Sequence, residues 1–138
     1  MDAGITFLDA APTYGDGKAE EVIGVAFGGR LPDGVRVSTK CRLGTLPHGE
    51  TLTHLRTTVN DSLTRMKLQR VDFFFLHNLI ITDEDKELYQ GTARSLFIDS
   101  VIPVFEKLKE EGRVGAWGVT GIGVPDAILE TIESDRAP

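Results

Sequence analysis

One cysteine, three histidines and one tryptophan among 138 residues leave little material for chemistries that need those residues in groups. Cys41 cannot close an internal disulfide, and no second cysteine or nearby histidine stands at zinc-binding spacing, so no metal site is expected. It reads as a small buried thiol. No apolar run approaches the roughly 20 residues a membrane span requires. The opening MDAGITF lacks the basic flank and long apolar stretch of a secretory leader, so a cytoplasmic address with no membrane partner is expected. A net charge of −6 without a Lys/Arg cluster argues against a nucleic-acid or anionic-lipid partner. A small-molecule ligand fits this composition, because pocket charge is local.

What is present is enough for one domain, residues 1–138, with a core of its own. Ile5 to Leu8 is an apolar run bounded by turn residues, which reads as a strand buried on both faces. Val22, Ile23, Ala26 and Phe27 follow at helical spacing, and Gly28-Gly29 stops that helix. Val35 to Thr39 is a second strand ending at Lys40 and Cys41, and Leu43 to Glu50 is loop-like. From Thr51, the residues Leu52, Leu55, Val59, Leu63 and Met66 fall on one helix face. Val71 to Leu76 is the most strand-like run and ends at His77.

Leu79 to Phe97 reads as a long loop with a short helical piece near Glu84 to Tyr89. A further helix carries Ile98, Val101, Ile102, Phe105 and Leu108, and Val114 to Val119 is the fourth strand. Pro125 suits the first position of a last helix whose buried face is expected to be Ile128, Leu129 and Ile132. Strand and helix alternate, as right-handed crossovers in a parallel sheet require. A complete (β/α)₈ barrel takes about 250 residues, so four units need about 125. The fold class expected is α/β, a partial (β/α)₈ TIM barrel of about four βα units on a parallel sheet.

Three of the strands end in groups that move protons: Asp9 with Tyr14 just beyond it, Lys40, and His77. Singly, each has a plainer reading: a turn cap, a surface aromatic, a lysine stem packed on the sheet, a hydrogen-bonded histidine. Together at one edge of a parallel sheet they make a coherent acid–base set. A phenol titrates ordinarily near 10 and needs help near neutral pH. A nearby ammonium favours the phenolate, and an aspartate paired to the lysine holds the cation in place.

These residues and their surroundings resemble the aldo-keto reductase family. The likeness is carried by Asp9-Ala10-Ala11-Pro12-Thr13-Tyr14, the run from Gly15 to Gly24, Ser38-Thr39-Lys40, Val71 to His77, and Glu111 to Thr120. It implies metal-free hydride transfer between C4 of a nicotinamide, from NADP or NAD, and the carbonyl or alcohol carbon of a sugar or small aldehyde or ketone. It implies catalytic roles for Asp9, Tyr14, Lys40 and His77, with Tyr14 the proton donor in reduction and acceptor in oxidation. Asp9, Thr120 and Gly121 are the cofactor-binding positions it implies. Thr120-Gly121 stands where the family commonly has Ser-Asn, so a hydroxyl is kept and an amide lost. Gly118-Val119-Thr120-Gly121 is similar to the galactose and aldose dehydrogenase branch.

Against the family the chain lacks the first barrel strand and everything after the fifth unit. Phosphate sites of such barrels usually come from loops after strands 7 and 8. A fragment, a separately folding remnant, and self-association that completes the barrel each account for the length. Two other functions stay open: a truncated, non-catalytic scaffold that binds or regulates, and an unrelated ligand at the barrel mouth with Lys40 as a Schiff-base or phosphate-binding lysine.

Overall fold

The structure, a computed structural model, describes residues 4–44 and 46–134. The first three residues, part of the stretch weighed as a leader, lie outside the described residues. The elements run β1 (Phe7–Asp9), α1 (Lys18–Phe27), β2 (Arg36–Cys41), α2 (His48–Met66) and β3 (Val71–Leu76). Then come β4 (Ile80–Ile81), β5 (Thr92–Ala93), α3 (Arg94–Leu96), a π-helical turn (Phe97–Val101), α4 (Ile102–Glu110), β6 (Val114–Val119) and α5 (Pro125–Ile132). The main sheet has four parallel strands in the order β1-β2-β3-β6, and β4 and β5 form a small parallel pair beside it.

Register sorts the strand residues into two faces, because successive side chains alternate. Leu8, Val37, Thr39, Phe74, Leu76 and Trp117 share one face. That face carries the main core under the helices: Phe74 meets Phe105 of α4 at 5.4 Å between rings, and Trp117 meets Phe105 at 5.6 Å. The buried Trp117 satisfies its indole N–H on Glu106. Phe7, Asp9, Ser38, Lys40, Phe73, Phe75, Ala116 and Gly118 share the opposite face. Phe73 lies 5.8 Å from Phe7 and 6.3 Å from Phe75, an aromatic ladder left partly open to solvent.

The four-strand parallel sheet agrees with the alternation read from the sequence, and α5 begins at Pro125. Several local expectations are corrected. β1 is not buried on both faces: among the described residues it is an edge strand, paired with β2 alone, and Ile5 and Phe7 are exposed. β2 runs on through Lys40 and Cys41, because β3 continues to pair with it there. α2 begins at His48 and exposes Leu52. The stretch after His77 is less loop-like than its composition suggests, holding β4, β5 and the start of the next helix at Arg94, while the 3₁₀ turn at Glu84–Glu87 falls where a short helical piece was expected.

Two helix faces also differ. α1 buries Glu20 and Gly24 and exposes Val22 and Val25. α5 buries Ala127 and Thr131, while Leu129 and Ile132 are exposed. Gly24 lets α1 approach α2 at backbone distance: a Cβ there would stand 2.2 Å from the carbonyl oxygen of Arg65. Gly24→Ala must push the two helices apart and is expected to destabilise the fold by about 1–3 kcal/mol, as overpacking does. A urea midpoint equal to that of the parent chain would refute this close approach.

Candidate active site

Parallel strands deliver their C-terminal ends to one edge, where (β/α) folds place their chemistry. Asp9 closes β1, Lys40 is the penultimate residue of β2, His77 directly follows β3, and Thr120 directly follows β6. Tyr14 sits in the turn between β1 and α1. Its backbone N–H donates to Ala11 O at 3.0 Å and its carbonyl accepts from Ala19 N–H at 3.2 Å, so the loop that carries it is tied at both ends.

The structure brings the four predicted groups together. Lys40 Nζ donates to Asp9 Oδ1 at 2.7 Å and to the Ala10 carbonyl at 2.8 Å. The same nitrogen lies 4.6 Å from the centre of the Tyr14 ring. The Tyr14 and His77 rings meet edge to face, 6.4 Å apart and 85° inclined. The Lys40 side chain is only 8% exposed, so its charge acts at close range with little screening by water. Tyr14 is 39% exposed, open enough for a reacting molecule to reach it.

Partial burial pulls the Asp9 carboxyl upward, but the hydrogen bonds from Lys40 and Ser38 and the Lys40 charge outweigh it and hold the group below its ordinary value. For His77, burial acts first, and the Arg42 and Lys40 cations add to it; together they overcome Asp9 and lower the imidazole below its usual range. Its Nδ1 is buried without a hydrogen-bond partner among the described residues. Burial and the two cations favour the neutral imidazole of His77, able to act as donor or acceptor according to tautomer.

An imidazole depressed on folding adds stability that is present above its ordinary value and lost as pH falls through the folded value. Following the His77 ring protons by NMR should give a midpoint below about 6.5. A midpoint above that value would contradict the burial and the two cations that define this corner.

Sequence reasoning passed over the residues that support these four. Ser38 Oγ donates to Asp9 Oδ1 at 2.6 Å, so the carboxylate is held by a hydroxyl as well as by the lysine. Below the mouth, the fully buried Glu20 accepts from Thr39 Oγ1 at 2.5 Å and from Arg65 Nε at 2.6 Å. Thr39 precedes Lys40, and α1 follows the Tyr14 loop, so Glu20 sets the two against each other. Ser38 and Glu20 are in the stretches that carry the family likeness, but only contact shows what they hold. Cys41, as expected, is a buried thiol, and burial raises its pKa. Among the described residues no three His, Cys, Asp or Glu side chains gather as metal ligands.

A cavity of about 180 Å³ opens behind Lys40 and His77, with Thr13, Arg42, His54 and Thr58 among its walls. Another, of about 230 Å³, lies under the β4-β5 segment and touches none of the four groups. Thr120 Oγ1 donates to the Leu76 carbonyl at 3.3 Å, which leaves its lone pairs free to accept from an amide. Gly121, exposed, has no side chain to add.

The profile of the Aldo/keto reductase family matches residues 1–134. This chain belongs to the aldo/keto reductase family. It is 30% identical over 99% of its length to an uncharacterized oxidoreductase, YqkF, of Bacillus subtilis, covering 42% of that protein. It is 27% identical over 98% of its length to L-galactose dehydrogenase of Arabidopsis thaliana, covering 39% of that enzyme. Among solved structures, an aldo/keto reductase from Klebsiella pneumoniae in complex with NADP and acetate superimposes with a TM-score of 0.70 at 26% identity. The match covers 98% of this chain and 41% of that one. The chain spans about two fifths of the length of the curated relatives it matches. Its four-stranded sheet is thus part of an aldo/keto reductase barrel.

Proposed function

We propose that this aldo/keto reductase chain carries the proton-transfer machinery of an NAD(P)-dependent oxidoreductase. The substrate would be a sugar or other small carbonyl compound, and residues 1–138 would act as one domain. The cofactor, NADP or NAD, would supply or accept the hydride at the carbonyl carbon. The chain's own residues handle the proton. Tyr14 donates its phenolic proton to the substrate oxygen in reduction and takes it back in oxidation. Lys40 sets its ammonium beside the ring, and Asp9, itself held by Ser38, anchors that ammonium. The neutral imidazole of His77 hydrogen-bonds the substrate oxygen and orients it. Thr120 would accept from the nicotinamide amide, with Gly121 contributing backbone only.

One observation carries this reading: a single buried ammonium binds Asp9 at 2.7 Å and stands 4.6 Å from the Tyr14 ring. The relatives that dehydrogenate sugars support the substrate class. The address we propose is the cytoplasm, in keeping with one free buried cysteine; no described helix is long and apolar enough to cross a membrane.

A second reading, a scaffold that binds without catalysing, is favoured by the open face of the sheet and by the lost amide at position 121. The two separate in one experiment. The chain is offered a panel of aldoses and aldehydes with NADPH or NADH, and absorbance at the reduced nicotinamide band is followed. The oxidoreductase reading expects consumption that depends on the carbonyl compound and on Tyr14. Nicotinamide binding with no turnover on any member of the panel would favour the scaffold.

A further inference from the structure

The cavity behind Lys40 and His77 holds a charge that the proton-transfer set does not use. Arg42, the first residue after β2, lines it together with Thr13, Lys40, His54 and His77. β2 is an inner strand, so both strands beside this position are in the sheet. Lys40 pairs with Phe75 and Cys41 with Leu76, and the His77 N–H donates to the Cys41 carbonyl at 2.7 Å, which carries the pairing one rung further. Arg42 and His77 therefore leave adjacent strands side by side, on chains about 4.8 Å apart. From α2 the His54 ring, through Nε2, meets the Arg42 carbonyl at 2.6 Å and fixes the backbone where it leaves the strand.

Charge at this corner is lopsided. Three charged groups act on His77: Arg42 and Lys40 are cations, and Asp9 is an anion. Lys40 and Asp9 bind each other at 2.7 Å and largely cancel at a distance. Arg42 is exposed, and no described carboxylate pairs with it, so one positive charge is left over in a chain whose net charge is −6. The space of about 180 Å³ is below the roughly 300–1,000 Å³ of a whole ligand site. It takes one end of a molecule whose other end lies at Tyr14. With Tyr14 and His77 as the reacting corner, which rests on the function proposed above, we propose that Arg42 determines specificity by holding the carboxylate of a small carbonyl compound. A guanidinium offers paired N–H donors in a fork that matches two carboxylate oxygens, and the hydroxyls of a neutral aldose offer no such match. The substrate class is then an oxo acid, or a sugar acid with a free aldehyde. No bond forms or breaks at Arg42.

Two probes of one shape separate charge from fit: para-formylbenzoate and para-formylbenzamide carry the same aldehyde and differ by a single charge at the far end. Each is titrated into the 138-residue chain, and binding is followed by NMR at the His77 ring protons and the Arg42 Nε–H. The carboxylate is expected to bind about tenfold more tightly than the amide, and Arg42→Gln is expected to bring the two affinities together. Arg42→Lys keeps the charge without the fork and should retain part of the gap. Arg36→Gln, the same change at the opposite end of β2, should leave the gap in place, and added salt should narrow it. Equal affinities in the parent chain, a gap that survives Arg42→Gln, or no shift with either probe overturns the proposal. Consumption of NADPH with the same two aldehydes keeps this apart from the oxidoreductase reading. Turnover with equal kcat/KM for acid and amide overturns the role of Arg42 and leaves that of Tyr14 standing. A binding gap without turnover supports the carboxylate site and counts against the oxidoreductase reading.

Discussion

Tyr14→Phe is expected to lower reductase turnover by about 10²–10⁴, the range that a positioned general acid contributes, with substrate KM and cofactor affinity little changed. The structure makes this a clean substitution. The Tyr14 ring lies beside Lys40 Nζ and meets the His77 ring edge to face, and the backbone bonds to Ala11 and Ala19 do not involve the side chain. Phenylalanine therefore keeps these ring contacts and removes the hydroxyl that carries the proton. Steady-state kinetics on the best aldose or aldehyde substrate decide the matter. Turnover within about threefold of the parent would remove Tyr14 as the proton donor. Loss confined to KM would recast it as a binding residue.

Glu20→Ala is expected to cost the larger share of stability. The carboxylate is fully buried and accepts from both Thr39 and Arg65. Removing one partner of a buried ion pair typically costs about 3–5 kcal/mol. Arg65, 28% exposed, can turn its charge to water, which brings the expectation down to about 2–4 kcal/mol. Glu20→Gln keeps the shape and an acceptor for Thr39 and should cost about 1–2 kcal/mol. Urea unfolding followed by Trp117 fluorescence gives both numbers. A cost below about 1 kcal/mol for the alanine variant would mean that the pair adds nothing beyond its replacement by packing and water.

The two variants probe different parts of one arrangement. Tyr14 does its work at the mouth, and Glu20 ties together the pieces that bring the mouth residues into reach. α1 follows the Tyr14 loop, Thr39 is the strand neighbour of Lys40, and Arg65 belongs to α2. One carboxylate therefore couples three elements whose relative placement decides whether an ammonium stands near a phenol.

By itself the sequence determined the alternation of strand and helix, the parallel sheet, and the convergence of Asp9, Tyr14, Lys40 and His77 at its C-terminal edge. Those are local properties: strand runs are recognisable by composition, and a parallel sheet brings their ends to the same side. Which side of α1 and α5 is buried was decided only by the tertiary structure. Helical spacing shows that apolar residues share a face, but not whether a neighbour stands opposite it, and at the rims of this sheet the described neighbours stand on one side only. Hence Val22 and Leu129, apolar and regularly spaced, face outward, while Glu20, charged, is buried because Thr39 and Arg65 meet it there. The same holds for Ser38, whose hydroxyl is directed at Asp9 by strand register, a relation between residues 29 positions apart that no local pattern encodes.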